Sequence, residues 1–429
     1  MPMNNYILNL LNIKDENIFI IPKMEEKIIK NKNYKIIEGF LTYIPEYCPC
    51  CGCINESNKD IIKWGFRKNC KIKIPKVSNC RSLLILHKQR FFCKHCNNTF
   101  IAETNLINKN KNISNNTELQ INLELMTKQS EKDIAERTDV SVSKIDRKLT
   151  EISSHTVLRH ATLPESMNWD EFKATKDTKG KMAFIITDND SGNIFDIQDS
   201  RKSIDLDKYF RRYSKSERDK VKHISIDFYS GYIFLAKKLF KNAEISIDRF
   251  HIVIQAYNAL NTTRVKLCYK SNTNYNKLKD YWKLIVKNEN DLSDKKTYSK
   301  HFKKEISQKE IVQYLINTNE ELKATYECYQ GLINSLKHKD FNKFKSIVLH
   351  PNINISNKMK QALKLYNDNL KYIENSFKYE INNGIIEGTN NLIKCLKRIA
   401  FGYKKFDHFI ARIFLIKGII KEWLKITLY

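Results

Sequence analysis

Four cysteines in two Cys-x-x-Cys pairs constrain the folding of this chain more than any other feature of its sequence. Cys48 and Cys51 form the first pair, Cys93 and Cys96 form the second, and residues 52–92 lie between them. In a chain with no export signal, clustered cysteines favour metal binding over disulfide bonds. Two pairs with this spacing can supply four thiolates to one tetrahedral zinc ion. The sequence therefore predicts a structural zinc site.

The residues between the two pairs are typical of a zinc ribbon. Segments 61–74 and 83–92 are strand-like and would form its hairpin. An alternative zinc register through Cys50 and Cys53 stays open at this point. The predicted strands are basic, which favours contact with phosphate. Their basic residues are Lys63, Arg67, Lys68, Lys71, Lys73, Arg81, Lys88 and Arg90.

Composition narrows the class of protein. The 429 residues include only 11 glycines and 7 prolines, about 4% against a usual ~12%, so a turn-rich β-sandwich is disfavoured. The formal net charge of +27 indicates a polyanionic partner. No apolar run approaches the ~18 residues of a membrane span, and the N-terminal sequence does not resemble a signal peptide. We expect a cytoplasmic protein with no membrane partner.

A helix-turn-helix is predicted after a polar linker. In the segment SEKDIAERTDVSVSKIDRKL, Ser130 and Asp133 form a capping-box pattern, and Thr138 with Asp139 makes the turn. Ser141 would then cap a second helix. In DNA-binding helix-turn-helices the leading end of the second helix enters the major groove. The residues exposed at this end are predicted to be Ser143, Lys144 and Arg147.

Short apolar strands alternate with polar helices after residue 166. The predicted strands are 169–172, 182–188, 193–199, 223–228 and 243–251, and the predicted helices between the later strands are 205–221 and 229–241. Three strands, helix, strand, helix, strand is the order of a ribonuclease-H-like α/β core, although many mixed sheets share it. The predicted fold class is α+β and multidomain, with the zinc ribbon and helix-turn-helix preceding this core.

Two acids indicate the chemistry of the predicted core. Asp170 lies on its first strand and Asp227 near the end of its fourth, and these strands adjoin in such a sheet. Asp227 points away from the apolar face of its strand, where a carboxylate is costly unless it pairs or binds a metal. Because Asp170 and Glu171 are adjacent on a strand and face opposite ways, only one can be a ligand. We predict Asp170.

A third acid lies far along the chain. Glu387 stands at the head of a predicted helix, and Asn391, Lys394 and Arg398 follow at i+4, i+7 and i+11 on one face. This stripe suits a metal-bound phosphate with its DNA strand trailing away. A long helical and charged segment, 255–378, separates this helix from the other two acids.

These stretches together resemble the ISL-three family of bacterial insertion-sequence transposases. The resemblance extends from residue 48 to 417, and one departure is Asn97, where the family often has glycine. The matching stretches are the two cysteine pairs, SEKDIAERTDVSVSKIDR, WDEF, SIDFYSGY, ISIDRFH, NNGIIEGTNNLIKCLKRIAFGYKKF and Arg412.

The resemblance implies a DDE-type transposase with Asp170, Asp227 and Glu387 as its catalytic, metal-binding triad. Asp248 and His251 fit a D-x-x-H signature, which would place His251 near the scissile phosphate. Such an enzyme uses two Mg²⁺ ions, with Mn²⁺ as an alternative, beside the structural Zn²⁺. Its expected partners are double-stranded DNA, namely terminal inverted repeats and target DNA, and a second copy of itself in the DNA complex. The expected location is the nucleoid in the bacterial cytoplasm.

The sequence divides into six segments. They are an N-terminal segment without a recognisable motif (1–40), the zinc ribbon (41–105), the linker and helix-turn-helix (106–160), the first part of the core (161–254), the helical insertion (255–378) and the return helix with a basic C-terminal segment (379–429). Two alternative functions remain. One is a DNA-binding regulator with an inactive core, and the other is a ribonuclease-H-like nuclease.

Overall fold

The computed structural model describes residues 2–56, 59–155, 160–270, 274–379 and 383–420, with the backbone alone for 2, 3, 270 and 383–387. The elements before residue 156 are α1 (Pro2–Leu10), β1 (Ile18–Ile29), β2 (Lys32–Leu41), β3 (Ile61–Val77), β4 (Cys80–Cys93), β5 (Thr99–Ile101), α2 (Asn115–Leu125), α3 (Glu131–Arg137) and α4 (Val142–His155). The next elements are β6 (Ser166–Lys173), β7 (Met182–Asp188), β8 (Ile194–Gln198), α5 (Ser203–Phe210), α6 (Lys215–Asp219), β9 (His223–Ile226), α7 (Ser230–Leu239), β10 (Glu244–Ile247) and α8 (Arg249–Lys270). The last elements are α9 (Tyr275–Asp280), α10 (Trp282–Ile285), a 3₁₀ turn (Glu289–Asp291), β11 (Thr297–Ser299), β12 (Lys304–Ile306), α11 (Gln308–Ile316), α12 (Glu320–Lys337), α13 (Phe341–Leu349), α14 (Asn357–Asp368), α15 (Leu370–Lys378), α16 (Asn383–Ile399) and α17 (Phe406–Ile416).

The chain forms two compact units, and each unit collects separate stretches of sequence. The first unit contains Met1–Val157, Thr175–Asp177 and Leu392–Tyr429, and the second contains Leu158–Ala174 and Thr178–Asn391. The six sequence segments follow the motifs along the chain, whereas the units follow tertiary packing. No helix in the described ranges is both long enough and apolar enough to cross a bilayer.

A five-stranded sheet forms part of the first unit. Its order is β1-β2-β4-β3, with β5 also pairing with β4. The predicted ribbon hairpin is present as β3 and β4, which pair antiparallel. The sequence before residue 41 carries no recognisable motif, yet it supplies β1 and β2, and β2 pairs parallel with β4. The ribbon hairpin is therefore part of a larger sheet, because β2 covers one edge of β4.

A small helical core completes the first unit. The buried side chains of α2, α3 and α4 pack together, among them Ile121, Ile134 and Ile145. The predicted capping box is confirmed, since the Ser130 hydroxyl accepts from the Asp133 amide and Asp133 reaches back to the Ser130 amide. Helix α17 packs into the same core through Ala411 and Leu415. Helix α17 therefore stabilises the packing of α2, α3 and α4 against one another.

Asp139 connects the turn between α3 and α4 to the sheet. It adopts a left-handed backbone with φ of 52°, and its carboxylate accepts from Tyr34, Lys73 and Arg81 at 3.0–3.2 Å. The Asp139 side chain is only 8% exposed. The sequence predicts that Lys73 and Arg81 contact phosphate. In the structure they neutralise a buried carboxylate instead.

Substituting Asp139 with asparagine is expected to destabilise the first unit by about 3 kcal/mol or more, because two cations lose their buried partner. Asparagine keeps the tolerance for the left-handed backbone, so the change isolates the charge. Glu136→Gln is the matched control. Its side chain is 66% exposed and pairs with the same Arg81, so a loss below about 1 kcal/mol is expected. Chemical denaturation of the full chain, followed by circular dichroism, measures the free energy of unfolding of both variants. An equal loss in the two variants would show that the buried pairing of Asp139 does not stabilise the unit more than the exposed pair does.

The second unit is built on a mixed five-stranded sheet of order β10-β9-β6-β7-β8. Strands β6, β7 and β8 pair antiparallel, whereas β6, β9 and β10 run parallel. The prediction that the first and fourth strands adjoin is confirmed. Trp169 lies fully buried on one face and stacks on Phe210 with ring centroids 4.9 Å apart. This aromatic core fixes which face of β6 is apolar and turns the alternate residues to the other face.

Helix α15 covers the exposed edge of β10. Asn375 donates to the carbonyl oxygen of Ile245 at 2.8 Å, and Ser376 donates to that of Ile247 at 2.5 Å. Both side chains are buried. Because they satisfy carbonyl groups that a sixth strand would otherwise bind, the edge is closed to further strand pairing.

The middle of the chain departs from the predicted elements in three places. Residues 205–221 form two short helices, α5 and α6, instead of one. The last predicted strand, 243–251, ends at Ile247 because the Asp248 carboxylate accepts the Phe250 amide and starts α8. The predicted insertion 255–378 is mainly helical, but it also contains the hairpin β11–β12.

Candidate active site

Three aspartates occupy equivalent register positions on adjacent parallel strands: Asp170 lies within β6, whereas Asp227 and Asp248 directly follow β9 and β10. Asp170 and Asp227 each lie two residues beyond the paired Asn168 and Ser225 of β6 and β9. Asp248 follows β10 directly, and its amide donates to the carbonyl oxygen of Ile226 at 2.8 Å. Since neighbouring strands are about 4.8 Å apart, the three carboxyls form one row across the sheet edge.

Asp170 and its neighbour Glu171 have different partners. Asp170 accepts from the Glu171 amide at 2.7 Å and from the Asn390 side-chain amide at 2.7 Å. Glu171 forms an ion pair with Arg201 and accepts from the Tyr232 hydroxyl at 3.3 Å. A cation already neutralises Glu171, whereas the donors to Asp170 among the described residues are neutral. This difference supports the choice of Asp170 as the ligand.

Burial and mutual repulsion act on the other two acids. Burial raises the pKa of Asp227, and the charges of Glu171 and Asp170 raise it further, while the Tyr229 amide and His251 oppose the change. Burial likewise raises the pKa of Asp248, with Asp170 and Asp227 adding to it. A divalent cation between the carboxyls would offset this repulsion, and carboxylate oxygens are the ligands that hard metal ions prefer. Among the described residues, the oxygens of these acids do not converge within 4.8 Å as the four cysteine sulfurs do, so the side chains would have to close around an ion.

His251 lies near the row of acids. The sequence placed it at a strand end, but the structure places it in the first turn of α8, half-buried. A positive charge on its ring would lower the pKa of both Asp227 and Asp248. His251 is therefore close enough to influence both carboxyls electrostatically.

Sequence reasoning missed two members of the site. Asp248 was noted only within the D-x-x-H signature, although Ile-Ser-Ile-Asp occurs twice, at 224–227 and 245–248. This repeat on two parallel strands was an available signal that both aspartates end at one sheet edge. Asn390, which the sequence analysis does not single out, donates to Asp170, whereas its neighbour Asn391 is predicted to contact DNA. Only the rotation of the helix decides which of two adjacent residues reaches a partner.

Buried polar residues continue the row of acids along the same face of the sheet. Asn168, Ser225 and Ser246 are all 0–1% exposed. At the start of β9, two residues before Ser225, the His223 ring forms hydrogen bonds with the Ser246 hydroxyl at 2.8 Å and the Ser166 hydroxyl at 3.1 Å. Tyr379 stacks on the His223 ring with centroids 4.3 Å apart. The polar face therefore extends from the acids to the opposite end of the strands.

His223 is expected to make the second unit sensitive to acid. Burial lowers its pKa from 6.5 to about 4, opposed by Glu244. Between these values the unfolded chain binds a proton that the folded chain does not, so stability falls as the pH drops from 6.5 to 4, by about 3 kcal/mol in total. The His223→Gln variant cannot bind this proton, so it should not show this loss of stability between pH 6.5 and pH 4. Urea denaturation at pH 7 and pH 4.5 tests it, and identical pH dependence in both proteins would contradict it.

The third predicted acid lies within α16, but the side chain of Glu387 is outside the described residues. The following residues of the predicted stripe are described. Asn391, Lys394 and Arg398 are all exposed on this helix. Their helical spacing is thus confirmed, and their contact with DNA stays a prediction.

The two cysteine pairs come together in the first unit. The sulfur atoms of Cys48, Cys51, Cys93 and Cys96 all lie within 4.8 Å of one another. The Cys48–Cys96 and Cys51–Cys93 sulfur distances are 3.7 and 3.9 Å. A tetrahedral zinc site with bonds of about 2.3 Å requires sulfur atoms about 3.8 Å apart, so the cluster fits zinc.

The neighbouring residues indicate which cysteines of the first pair would bind zinc, Cys48 with Cys51 or Cys50 with Cys53. Cys50 is exposed and Cys53 is half-buried, and neither is among the four clustered cysteines. Asn97, which stands where glycine is frequent, has φ of 56°, the left-handed conformation that the second pair requires. The geometry supports the register through Cys48 and Cys51.

The leading end of α4 presents only part of its predicted DNA-binding set. Ser143 and Arg147 are exposed. Lys144 is half-buried and forms an ion pair with the buried Glu118 of α2. Lys144 would have to leave this partner to reach a phosphate, whereas Ser143 and Arg147 are accessible.

Comparison with known proteins identifies the family. The family model of DDE transposases of the ISL3 type, described as Transposase, matches residues 168–413. This match covers more than half of the chain and includes Asp170, Asp227, Asp248 and α16. The protein therefore belongs to the ISL3 (ISL-three) family of DDE transposases, a family of DNA-cleaving and DNA-transferring enzymes that act with divalent metal ions.

The chain is also similar to a protein whose description is not that of a transposase. The chain is 30% identical over 132 residues to an "ATP-dependent protease" of Lactococcus lactis subsp. lactis. The similarity covers 30% of this chain and 42% of that relative. The chain thus spans less than half the length of this protein.

Proposed function

We propose that the protein is the transposase of a bacterial insertion sequence, which binds the terminal inverted repeats and catalyses metal-dependent cleavage and transfer of DNA strands. The observation that carries this proposal is the row of Asp170, Asp227 and Asp248 at one edge of the parallel strands, inside the region that the family model matches. The strand order, three antiparallel strands with two parallel strands beside the first, supports a ribonuclease-H-like core.

Each residue of the site has a proposed role. Asp170, Asp227 and Glu387 would hold two Mg²⁺ ions, or Mn²⁺ in their place, with Asp248 beside them. Such a metal pair supplies Lewis-acid activation of the attacking and leaving oxygens. Asn390 orients Asp170 through their 2.7 Å hydrogen bond. His251 positions the scissile phosphate by donating to one of its oxygens.

The first unit would provide DNA recognition. A structural Zn²⁺ held by the four clustered cysteines stabilises the ribbon, and the helix–turn–helix formed by α3 and α4 reads the inverted repeats through Ser143 and Arg147. The exposed stripe of Asn391, Lys394 and Arg398 would contact the DNA backbone. Two copies of the protein would hold the two element ends in the nucleoid.

The alternatives predict different products. A regulator with an inactive core would bind the ends without cutting, and the row of acids argues against it. A ribonuclease-H-like nuclease would cut without joining. ATP-dependent proteolysis, named for the relative, is not favoured because the 429 residues contain no G-x-x-x-x-G-K-[S/T] phosphate-binding loop.

A joining assay tests the proposal. Purified protein is incubated with Mg²⁺, a labelled fragment carrying candidate element ends, and a target plasmid. We expect joined products that vanish in the Glu387→Gln variant. Specific binding without nicking, in Mg²⁺ or Mn²⁺, would support the inactive regulator, and nicking without joining would support the nuclease.

A further inference from the structure

A basic hairpin projects from the second unit, within the helical insertion. Residues 295–304, KKTYSKHFKK, contain five lysines and no acidic residue. They form β11, a four-residue turn and β12. All five lysines are exposed. The hairpin therefore concentrates positive charge on one small surface that neither the triad nor the helix–turn–helix includes.

Few of these lysines have a carboxylate within ion-pair distance. The hydrogen bond from the Ser307 amide lowers the pKa of Glu310, and the charges of Lys296 and Lys304 both help to lower it. Lys296 lies 3.9 Å from Glu310, and the nearby Lys309 pairs with Asp294 at 2.7 Å. Within the ranges that the structure describes, the other four lysines make no ion pair. These four are Lys295, Lys300, Lys303 and Lys304. Uncompensated like charges at this density repel one another, so a polyanion would bind here favourably.

The base of the hairpin is anchored, whereas its outer surface is free. Ile306 and Ser299 are buried, and Ser299 hydrogen-bonds to the Tyr281 hydroxyl at 2.5 Å. Phe302 packs edge-on against Tyr314 with ring centroids 5.0 Å apart, and His301 contacts Asp280 at 2.6 Å. These contacts hold the turn in place, so little backbone conformational entropy remains to be lost when the lysines bind a ligand.

An exposed aromatic ring stands among the lysines. Tyr298 on β11 is 68% exposed, and its neighbours in sequence and across the strand pair include Lys296, Lys300 and Glu305. A basic surface combined with an exposed aromatic side chain is the combination with which proteins bind unpaired nucleic acid, because every base presents a flat face.

We propose that this hairpin is a DNA-binding surface, in which the four lysines contact the phosphate backbone and Tyr298 stacks on an unpaired base. This inference rests on the proposed function, since it assigns a further contact to the same DNA. Unpaired bases arise where strands are cut or transferred, so the aromatic ring would act on reaction intermediates, whereas the lysines would act on any duplex.

The lysines are tested through the salt dependence of binding. The variant K295Q/K300Q/K303Q/K304Q keeps side-chain length and removes four charges. The control K358Q/K360Q/K364Q/K371Q removes four exposed charges from α14 and α15 of the same unit. Fluorescence anisotropy of the full-length proteins with a random-sequence duplex, between about 50 and 200 mM salt, gives the slope of log K against log salt concentration. Each phosphate contact contributes about 0.9 to this slope.

We expect the slope of the hairpin variant to fall by about 3 to 4, and that of the control to change clearly less. Equal slopes in the hairpin variant and the wild type would overturn the inference, as would equal changes in the two variants. Loss of binding confined to an RNA duplex of the same length would also overturn it. Wild-type protein that binds no DNA would instead overturn the proposed function. Circular dichroism confirms that each variant is folded.

Tyr298 is tested with two DNAs of the same length, one fully paired and one with unpaired bases at its end. Tyr298→Ala should weaken binding to the second DNA by roughly tenfold or more and leave binding to the first nearly unchanged. Tyr298→Phe keeps the ring and should behave like the wild type. Equal effects of the alanine change on both DNAs would overturn the stacking role.

Discussion

Replacing Asp227 with asparagine is expected to reduce DNA cleavage and joining by about 10³-fold or more, while DNA binding stays close to the wild-type level. The expectation follows from the loss of one carboxylate at a site where metal ions contribute several kcal/mol of transition-state stabilisation. The labelled-fragment assay measures cleavage, and anisotropy measures binding. Asp368→Asn, which removes an exposed carboxylate from the same unit, is the matched control and should be fully active.

The same substitution has a second expected effect that a purely structural role would not produce. Burial and neighbouring acids raise the pKa of Asp227, so its charge destabilises the metal-free fold. Asp227→Asn should therefore raise the melting temperature without metal and diminish the further increase that Mg²⁺ gives to the wild type. A variant that melts earlier and no longer binds DNA would show that Asp227 is structural, and the assignment of the triad would then be wrong.

Replacing Cys93 with serine is expected to release the zinc ion and to unfold the ribbon. Structural zinc sites contribute about 10–16 kcal/mol of binding free energy, much of which stabilises the fold, so losing one of four thiolates removes several kcal/mol. Elemental analysis should give one zinc per chain in the wild type and none in the variant. Specific binding to the element ends should be lost with it, because the two cysteine pairs and helices α3 and α4 belong to one compact unit.

Two other cysteines provide the controls for this prediction. Cys50→Ser should retain zinc, because Cys50 is exposed and outside the four-sulfur cluster. Cys70→Ser should also retain zinc, since Cys70 lies on β3 away from the two pairs in sequence. If Cys93→Ser kept a full equivalent of zinc, or if Cys50→Ser lost it, the register through Cys48 and Cys51 would be wrong.

Local sequence patterns determined several elements of this protein. The capping box at Ser130 and Asp133 depends on residues three apart, and the Cys-x-x-Cys pairs depend on a single turn of chain, so short-range chemistry suffices to predict them. A short run of apolar residues likewise predicted β7, with bounds that agree with the structure. Such features can be read directly because their partners are near in sequence.

Tertiary packing decided what distant segments do together. The strands before residue 41 carry no motif and gain their place only by pairing with β4 and with each other, and α17 gains its place only by burying Ala411 and Leu415 beside α4. The basic pattern of β3 and β4 predicts that Lys73 and Arg81 contact phosphate, but in the structure both pair with Asp139. Whether a charged side chain faces solvent or a buried partner depends on contacts between residues far apart in sequence, and composition cannot reveal them.

The candidate site shows both kinds of information. Asp170 and Asp227 were predictable because the local pattern shows a carboxylate on an apolar strand, and such a carboxylate needs a partner. Asp248 joins their row because of the parallel register of β9 and β10, and Asn390 reaches Asp170 because of the rotation of α16. The sequence determined which residue types carry the chemistry, and the tertiary structure decided which copies meet, because register and helix rotation are set by packing over the whole core.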